Sequence, residues 1–332
     1  MPPSTPVYSS GRLSAKPKLV VDVIDSGQGN SILVSYPNGN FMLVDCGSQA
    51  HGIHNSVYSH VSGYIATVTG GSDIACVVLT HGDQDHTAYI PHIPQAQKPR
   101  TVFYGGARKD LDGDTLAWVQ AQEKRTPRGS CLVWDFKGYH SASPDADFQG
   151  ADSPNDTDVY VLAAGAGDTP NARSIVLLLV YGTQGVLLSG DATLATEAEI
   201  LSNFPTNFLK TCTVLVPGHH GAYESTAPDF QNALAPAAAA ISASGANQSY
   251  AHPDCATMRQ LTRAAYVQSG TDHAVTCSDG KGKPFKNSST TKAVYVTGTN
   301  GDIRFTTDGS NCNIKVSSLG GGLARTTGGA LR

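Results

Sequence analysis

Residues 74–80, Ile-Ala-Cys-Val-Val-Leu-Thr, form an apolar run too short for a helix and without a polar face. Such a run is a strand buried on both sides, so its sheet must be covered above and below. It ends directly on His81-Gly82-Asp83-Gln84-Asp85-His86. The pattern recurs. Residues 18–25, 31–37, 41–46, 101–105, 131–136, 159–164, 174–182, 185–191, 212–218 and 237–242 are β-rich, and several close on polar residues. Helical patterns cover roughly 55–69, 114–124 and 193–203, and Pro253 is expected to open another helix. Residues 293–298 and 302–307, joined through Asn300-Gly301, read as a terminal hairpin. No internal repeat or long linker divides the chain. The expectation is one α/β domain over 18–310, two packed mixed sheets flanked by helices. Residues 1–17 are Pro- and Ser-rich without the apolar core of a signal peptide and read as a flexible tail. Residues 311–332 read as a partly flexible C-terminal extension.

Composition narrows the function classes. Only 15% of the residues are charged, against 35 Gly and 18 Pro, which suits a loop-rich enzyme better than a helical bundle. A net charge of −4 gives no global attraction to nucleic acid or anionic membranes, so a phosphate-bearing substrate must be held by a local site. No apolar run reaches the roughly 18 residues of a membrane span. The seven cysteines are scattered without a CxxC pair, and Cys76 and Cys212 fall in strand-like runs as buried thiols. A reducing, cytoplasmic setting is the default expectation, with a Cys277–Cys312 disulfide left open. Trp118 and Trp134 read as core aromatics.

The chemistry concentrates at 81–86. Two imidazoles and two carboxylates within six residues, at the end of a buried strand and with Gly82 to turn the backbone, can converge on one or two divalent cations. A solvated loop is the alternative. His51, His54, His60, His92, His140 and His273 have no partner at ligand spacing and read as surface or core residues. Gly27-Gln28-Gly29 joins strand to strand with no helix following, a poor nucleotide loop.

The run Thr80–His86 resembles the HxHxDH signature of metallo-β-lactamase-fold hydrolases, with Asp83 standing where the second His is usual. The resemblance covers about residues 18–310. It implies that Asp45 supports the metal loop from behind, that Asp191 bridges two metals, and that His219-His220 supplies a late His ligand, His220 being favoured. More closely, the chain is similar to the ComEC-like subgroup, the nuclease-like domain of a bacterial DNA-uptake protein. The motifs are Ser26–Ser31, Asn171–Leu177, the Gly-Asp at Asp191, His219–Ala222 and Ala251-His252-Pro253, in the family's order. That resemblance implies a metal-dependent phosphodiesterase or nuclease acting on single-stranded nucleic acid or a nucleotide.

The metal ligands expected on this basis are His81, Asp83, Asp85, His86, Asp191 and His220, holding Zn²⁺ or Mn²⁺ as one or two ions. A single ion would use Asp85, His86, Asp191 and His220. Asp85 is also expected to orient the attacking water and accept its proton, and His252 to protonate a leaving oxygen or bind a phosphoryl or carbonyl oxygen. For His252 the alternative is a histidine packed at a helix start. Tyr223, Ser225 and Thr226 are further candidate donors, and Arg108, Lys109 and Arg173 a candidate phosphate patch. Asn30, which stands where the family has an Asp, and Asp83 and Asn171, which stand where it places His, depart from the family pattern; the last two cost one metal position its nitrogen donors, which favours harder cations such as Mn²⁺ at least as much as Zn²⁺. Those departures keep two alternatives open: a hydrolase of a small ester, lactone or lactam, and a non-catalytic binding or regulatory protein retaining the fold.

Overall fold

The computed structural model describes residues 18–125, 131–136, 138, 140–141, 148, 157–246, 249–317 and 326–331. The expected N-terminal tail lies outside them. Along the chain, β1 (Leu19–Val23), β2 (Ser31–Ser35) and β3 (Phe41–Cys46) form an antiparallel meander. Helix α1 (Ser56–Thr69) then carries the chain over to β4 (Cys76–Leu79), parallel to β3 as a helical crossover requires. The short α2 (Gln84–Thr87), β5 (Thr101–Gly105), α3 (Gly113–Glu123) and β6 (Leu132–Phe136) continue the parallel half. The second sheet starts with β7 (Thr157–Ala163), β8 (Val176–Tyr181) and β9 (Gln184–Leu188), antiparallel to one another. After α4 (Leu194–Asn203) and α5 (Thr206–Leu209), β10 (Cys212–Val216) lies parallel to β9; after α6 (Pro228–Leu234), β11 (Ala238–Ile241) lies parallel to β10. Helix α7 (Cys255–Arg263) leads to a separate hairpin, β12 (Ser269–Ser278) and β13 (Phe285–Lys292). Strand β14 (Val294–Val296) then closes the second sheet. A helical turn, α8 (Thr297–Asn300), returns the chain to the first sheet as β15 (Ile303–Thr307), β16 (Cys312–Val316) and β17 (Thr326–Leu331).

Among the described residues, the first sheet thus has nine strands and the second six. Alternation sorts their side chains. Ile32, Val34, Met42, Val44, Val78 and Phe103 face the second sheet, in one core with Leu177, Leu179, Val186 and Leu215. Leu33, Leu43, Val77, Leu79 and Tyr104 face the other way and pack under Val61 and Ile65 of α1 and Trp118 and Val119 of α3. Burial on both faces is why these strands read as unbroken apolar runs. The result is the expected αββα sandwich.

Several local expectations are corrected. Residues 293–298 and 302–307 are not a hairpin. Asn300 Oδ1 accepts the Val296 N–H, and the turn between them sends β14 and β15 to different sheets. Helix α7 starts at Cys255, capped by Asp254 accepting from Ala256 N, so Pro253 precedes the cap. The disulfide joins Cys255 to Cys277, while Cys312 is buried outside any disulfide. Trp118 is buried, but Trp134 on the edge strand β6 is 47% exposed. The sheet also continues past residue 310 through β16 and β17. Among the described residues, no helix is long and apolar enough to cross a membrane.

Candidate metal centre

The chemistry collects at the C-terminal ends of the parallel strands, the edge where α/β sheets bind ligands. Asp45 ends β3, His81 follows β4, Asp191 follows β9, His219 and His220 follow β10, and Ser242 follows β11. The loop at 81–86 is pressed into a glycine cradle. A Cβ on Gly47 would lie 2.6 Å from Asp85 backbone carbon, and one on Gly29 would lie 2.7 Å from Asp85 carbonyl oxygen. Asp45, His219, His220 and Ala251 are four of the six non-glycine residues with left-handed φ among the described residues. Strained backbone of this kind clusters where side-chain aim matters more than stability.

Asp45 is fully buried and organises the loop. Its carboxylate accepts from Thr80 N at 2.7 Å, Thr80 Oγ1 at 2.7 Å, His86 Nδ1 at 2.7 Å and Asn30 Nδ2 at 3.0 Å. An acid at position 30 would set a second carboxylate against Asp45, so Asn30 suits the place it occupies. His220 Nδ1 donates to the Ser242 carbonyl at 2.7 Å. His81 Nδ1 lies 3.1 Å from Thr80 Oγ1, whose own proton goes to Asp45. All three rings therefore have Nδ1 engaged from behind and turn Nε2 toward Asp191, the arrangement that outer carboxylates and carbonyls impose on metal-ligating histidines.

Asp191 stands between two groups. Its Oδ1 lies 3.0 Å from His86 Nε2 and 3.8 Å from His220 Nε2, and His220 Nε2 is 3.3 Å from Asp85 Oδ2. Its Oδ2 lies 3.8 Å from His81 Nε2 and 3.9 Å from His219 Nε2, and His81 Nε2 is 3.5 Å from Asp83 Oδ2. His86 and His220 bring their Nε2 atoms to 3.3 Å, two lone pairs facing each other. His81 Nε2 and Asp191 Oδ1 are buried without a hydrogen-bond partner. These orphaned atoms, with the donor set around them, fit a divalent cation. The electrostatics agree. Burial alone would push the Asp85 and Asp191 carboxyls up, yet the neighbouring imidazoles hold both below the usual carboxylate range. Burial would likewise depress His86, and Asp191 and Asp45 carry it well above the ordinary value. The cluster favours buried positive charge.

All six expected ligands are thus gathered, Asp83 as the most exposed of them. His252 completes the ring of histidines, with ring centroids 5.2 Å from His219 and 6.2 Å from His220. Burial, then the adjacent imidazoles, pulls its pKa down to about 3, so it is neutral at physiological pH. Sequence reasoning did not separate the roles of His219 and His220. Consecutive left-handed residues turn them to opposite oxygens of Asp191, and Asn171 lies 3.2 Å from His219 Nε2. It also missed Ser242, which acts through a carbonyl and leaves no side-chain signal. The segment at 105–110 does reach the metal loop, since a Cβ on Gly82 would meet Asp110 backbone at 2.6 Å. Arg108 is however paired with Glu123, and Arg173 lies 3.7 Å from Asp110. Lys109 is in no described ion pair. Ser225 donates to the Gly218 carbonyl at 2.6 Å and Thr226 to Ser225, so both hydroxyls are engaged within the turn, while Tyr223 is 74% exposed.

Residues 24–245 match the family model described as the metallo-beta-lactamase superfamily. The chain belongs to that superfamily. As a metallo-beta-lactamase-superfamily hydrolase, its fold is one that binds one or two metal ions. The chain is 28% identical to ComE operon protein 3 of Bacillus subtilis (strain 168) over 258 residues, 73% of this chain and 30% of that protein. It is 26% identical to competence protein ComA of Neisseria gonorrhoeae over 258 residues, 76% of this chain and 32% of that protein. It is 28% identical to recombination protein 2 of Haemophilus influenzae over 249 residues, 75% of this chain and 27% of that protein. The chain spans just under a third of the length of these relatives. They carry the ComEC-like resemblance seen in its motifs. Among solved structures, the metallo-beta-lactamase fold protein YhfI from Bacillus subtilis superposes with a TM-score of 0.40 at 13% identity, covering 68% of this chain and 86% of that one.

Proposed function

We propose that this chain is a metal-dependent phosphodiesterase acting on nucleic acid or a nucleotide. The observation that carries the reading is the two-sided Asp191, whose Oδ1 faces His86 and His220 and whose Oδ2 faces His81 and His219, with Asp85 beside His220, Asp83 beside His81, and His86 placed to join either His81 and Asp191 or Asp85 and His220. Two sets bridged by one carboxylate suit a pair of cations. Divalent cations held there would lower the pKa of water from about 15.7 towards ~7 and neutralise charge on a phosphoryl oxygen. The mixed carboxylate and imidazole donors suit Mn²⁺ and Zn²⁺ alike.

The chain's own groups supply the rest. Asp85, kept ionised by His220 and His86, is placed to orient water and accept its proton. His252, neutral, offers a ring N–H to a substrate oxygen rather than acting as a charged acid. Tyr223 presents an open ring on which a base can stack, with Lys109 and Arg173 the nearest cations by sequence. Relatives named for competence and recombination support nucleic acid as the substrate class. The deciding experiment is metal analysis of the purified protein with assays on bis-p-nitrophenyl phosphate, single-stranded DNA and a lactone panel. Phosphodiester turnover that follows metal loading is expected. Turnover of lactones alone would promote the carbonyl hydrolase, and bound metal without turnover the non-catalytic reading.

A further inference from the structure

We infer that the cavity between α6 and α7 is a second binding site, for a phosphate-bearing ligand of nucleotide size. The inference stands independently of the function proposed for the metal centre. The cavity has a volume of about 550 Å³, within the range of ligand pockets, and opens between the two helices. Arg259 and Arg263 project into it from α7 and are both exposed. Four residues apart, they lie one above the other on the same helix face, where two like charges repel and destabilise the helix. Arg263 gains something back from the negative end of the helix dipole, but Arg259, a turn earlier, does not. No Asp or Glu lines the cavity, and neither arginine is in an ion pair among the described residues. Asp279, which feels the field of Arg259, is itself paired with Lys286. Two guanidiniums so placed form a bidentate receptor for a phosphate.

The floor is fixed. Gln231 is fully buried, and Gln231 and Gln260 both donate to the Thr226 carbonyl, at 3.2 and 3.4 Å. Tyr266 lies along the wall with its hydroxyl 3.4 Å from Asn232 Oδ1, leaving a ring edge and an amide beside the arginines. A phosphate with an attached planar group matches this set better than a bare anion. The site is separate from the metal centre. Thr257 on the first turn of α7 donates to the Ala222 carbonyl, and Arg263 lies roughly 9 Å further along the axis.

The test is calorimetric titration of the metal-loaded protein with inorganic phosphate and with thymidine 5′-monophosphate, for the wild type, Arg259→Gln/Arg263→Gln, and His220→Ala. Circular dichroism melts confirm that each variant is folded. The nucleotide should bind at least tenfold more tightly than inorganic phosphate at one site. That site should weaken at least tenfold in the double arginine variant and persist in His220→Ala. Turnover of bis-p-nitrophenyl phosphate by the arginine variant should be unchanged. An isotherm unaffected by the arginine changes, complete loss of nucleotide binding in His220→Ala, or equal affinity for phosphate and nucleotide would each overturn the assignment.

Discussion

Asp45 faces away from the substrate side, yet four hydrogen bonds meet on its carboxylate and one of them sets the tautomer of His86. Asp45→Asn removes an acceptor and puts an amide against donors, so metal affinity should fall by about 10- to 100-fold, with a stability loss of roughly 1–3 kcal/mol. Competition against a chromophoric chelator and a thermal melt read the two effects. Asp85→Asn should behave differently. It keeps the side-chain volume and removes the proton acceptor, so turnover should drop by about 10²- to 10⁴-fold while the melt barely moves. Wild-type turnover by a folded, metal-loaded Asp85→Asn protein would remove Asp85 from the mechanism. At this scale the run at 81–86 was legible because its ligands are consecutive and sit on a strand end. The division of labour between His219 and His220 was not, since it depends on two left-handed residues rather than on residue type.

Two links between elements make their own predictions. Glu197 on α4 accepts from Thr226 N and from Ala227 N at 2.8 Å, tying that helix to the segment after the HHG turn. Burial pushes its carboxyl up to about 7, against the opposing pull of those two N–H groups. The folded protein therefore keeps a proton that the unfolded chain releases above about 4.5, and stability from this group is full below 4.5 and lost as pH rises through 7. The loss is on the order of 3 kcal/mol. Melting temperatures of wild type and Glu197→Gln across that window should show a fall in the wild type that the variant lacks; parallel curves would contradict it. The Cys255–Cys277 bond closes a span of 22 residues, which corresponds to about 3 kcal/mol of stabilisation. Cys255→Ser/Cys277→Ser, or reduction of the wild type, should lower the melting temperature accordingly. Disulfides are commonest in oxidising surroundings. The sequence hid this one because the partners lie on a helix start and a strand whose pairing was itself unread. The polar run Phe285–Lys292 gives β13 no apolar alternation to announce it, and Asn300-Gly301 imitated a hairpin turn.

For the whole molecule, charge decides how a nucleic acid can be held. With a net charge of −4, and with Arg108 paired to Glu123, few cations remain beside the metal loop. If Lys109 and Arg173 are the two phosphate contacts, single-stranded DNA binding should show a log–log salt slope of roughly −1.4. A neutral lactone would show almost none. Filter binding from low to moderate salt, with Mn²⁺ and Zn²⁺ each supplied, checks it; no binding at low salt together with ester turnover would transfer the assignment to the carbonyl hydrolase. The sandwich itself was readable from sequence because strands buried on both faces cannot alternate, and their unbroken runs marked nearly every central strand. The strands that escaped were the polar hairpin β12–β13 and the C-terminal pair β16–β17, whose sequences carry no unbroken apolar run.

The gathering of the ligands at the C-terminal strand ends also fixes where the molecule can be handled. The turn at Pro37-Asn38-Gly39 precedes β3, whose far end carries Asp45, so it lies at the opposite rim, with Asn38 exposed. The five cysteines outside the disulfide are all buried, and burial pushes the thiols of Cys46, Cys212 and Cys312 up to about 12. A thiol introduced as Asn38→Cys would thus be the accessible nucleophile, and a maleimide there would anchor the protein to a surface with its catalytic mouth turned toward the solution.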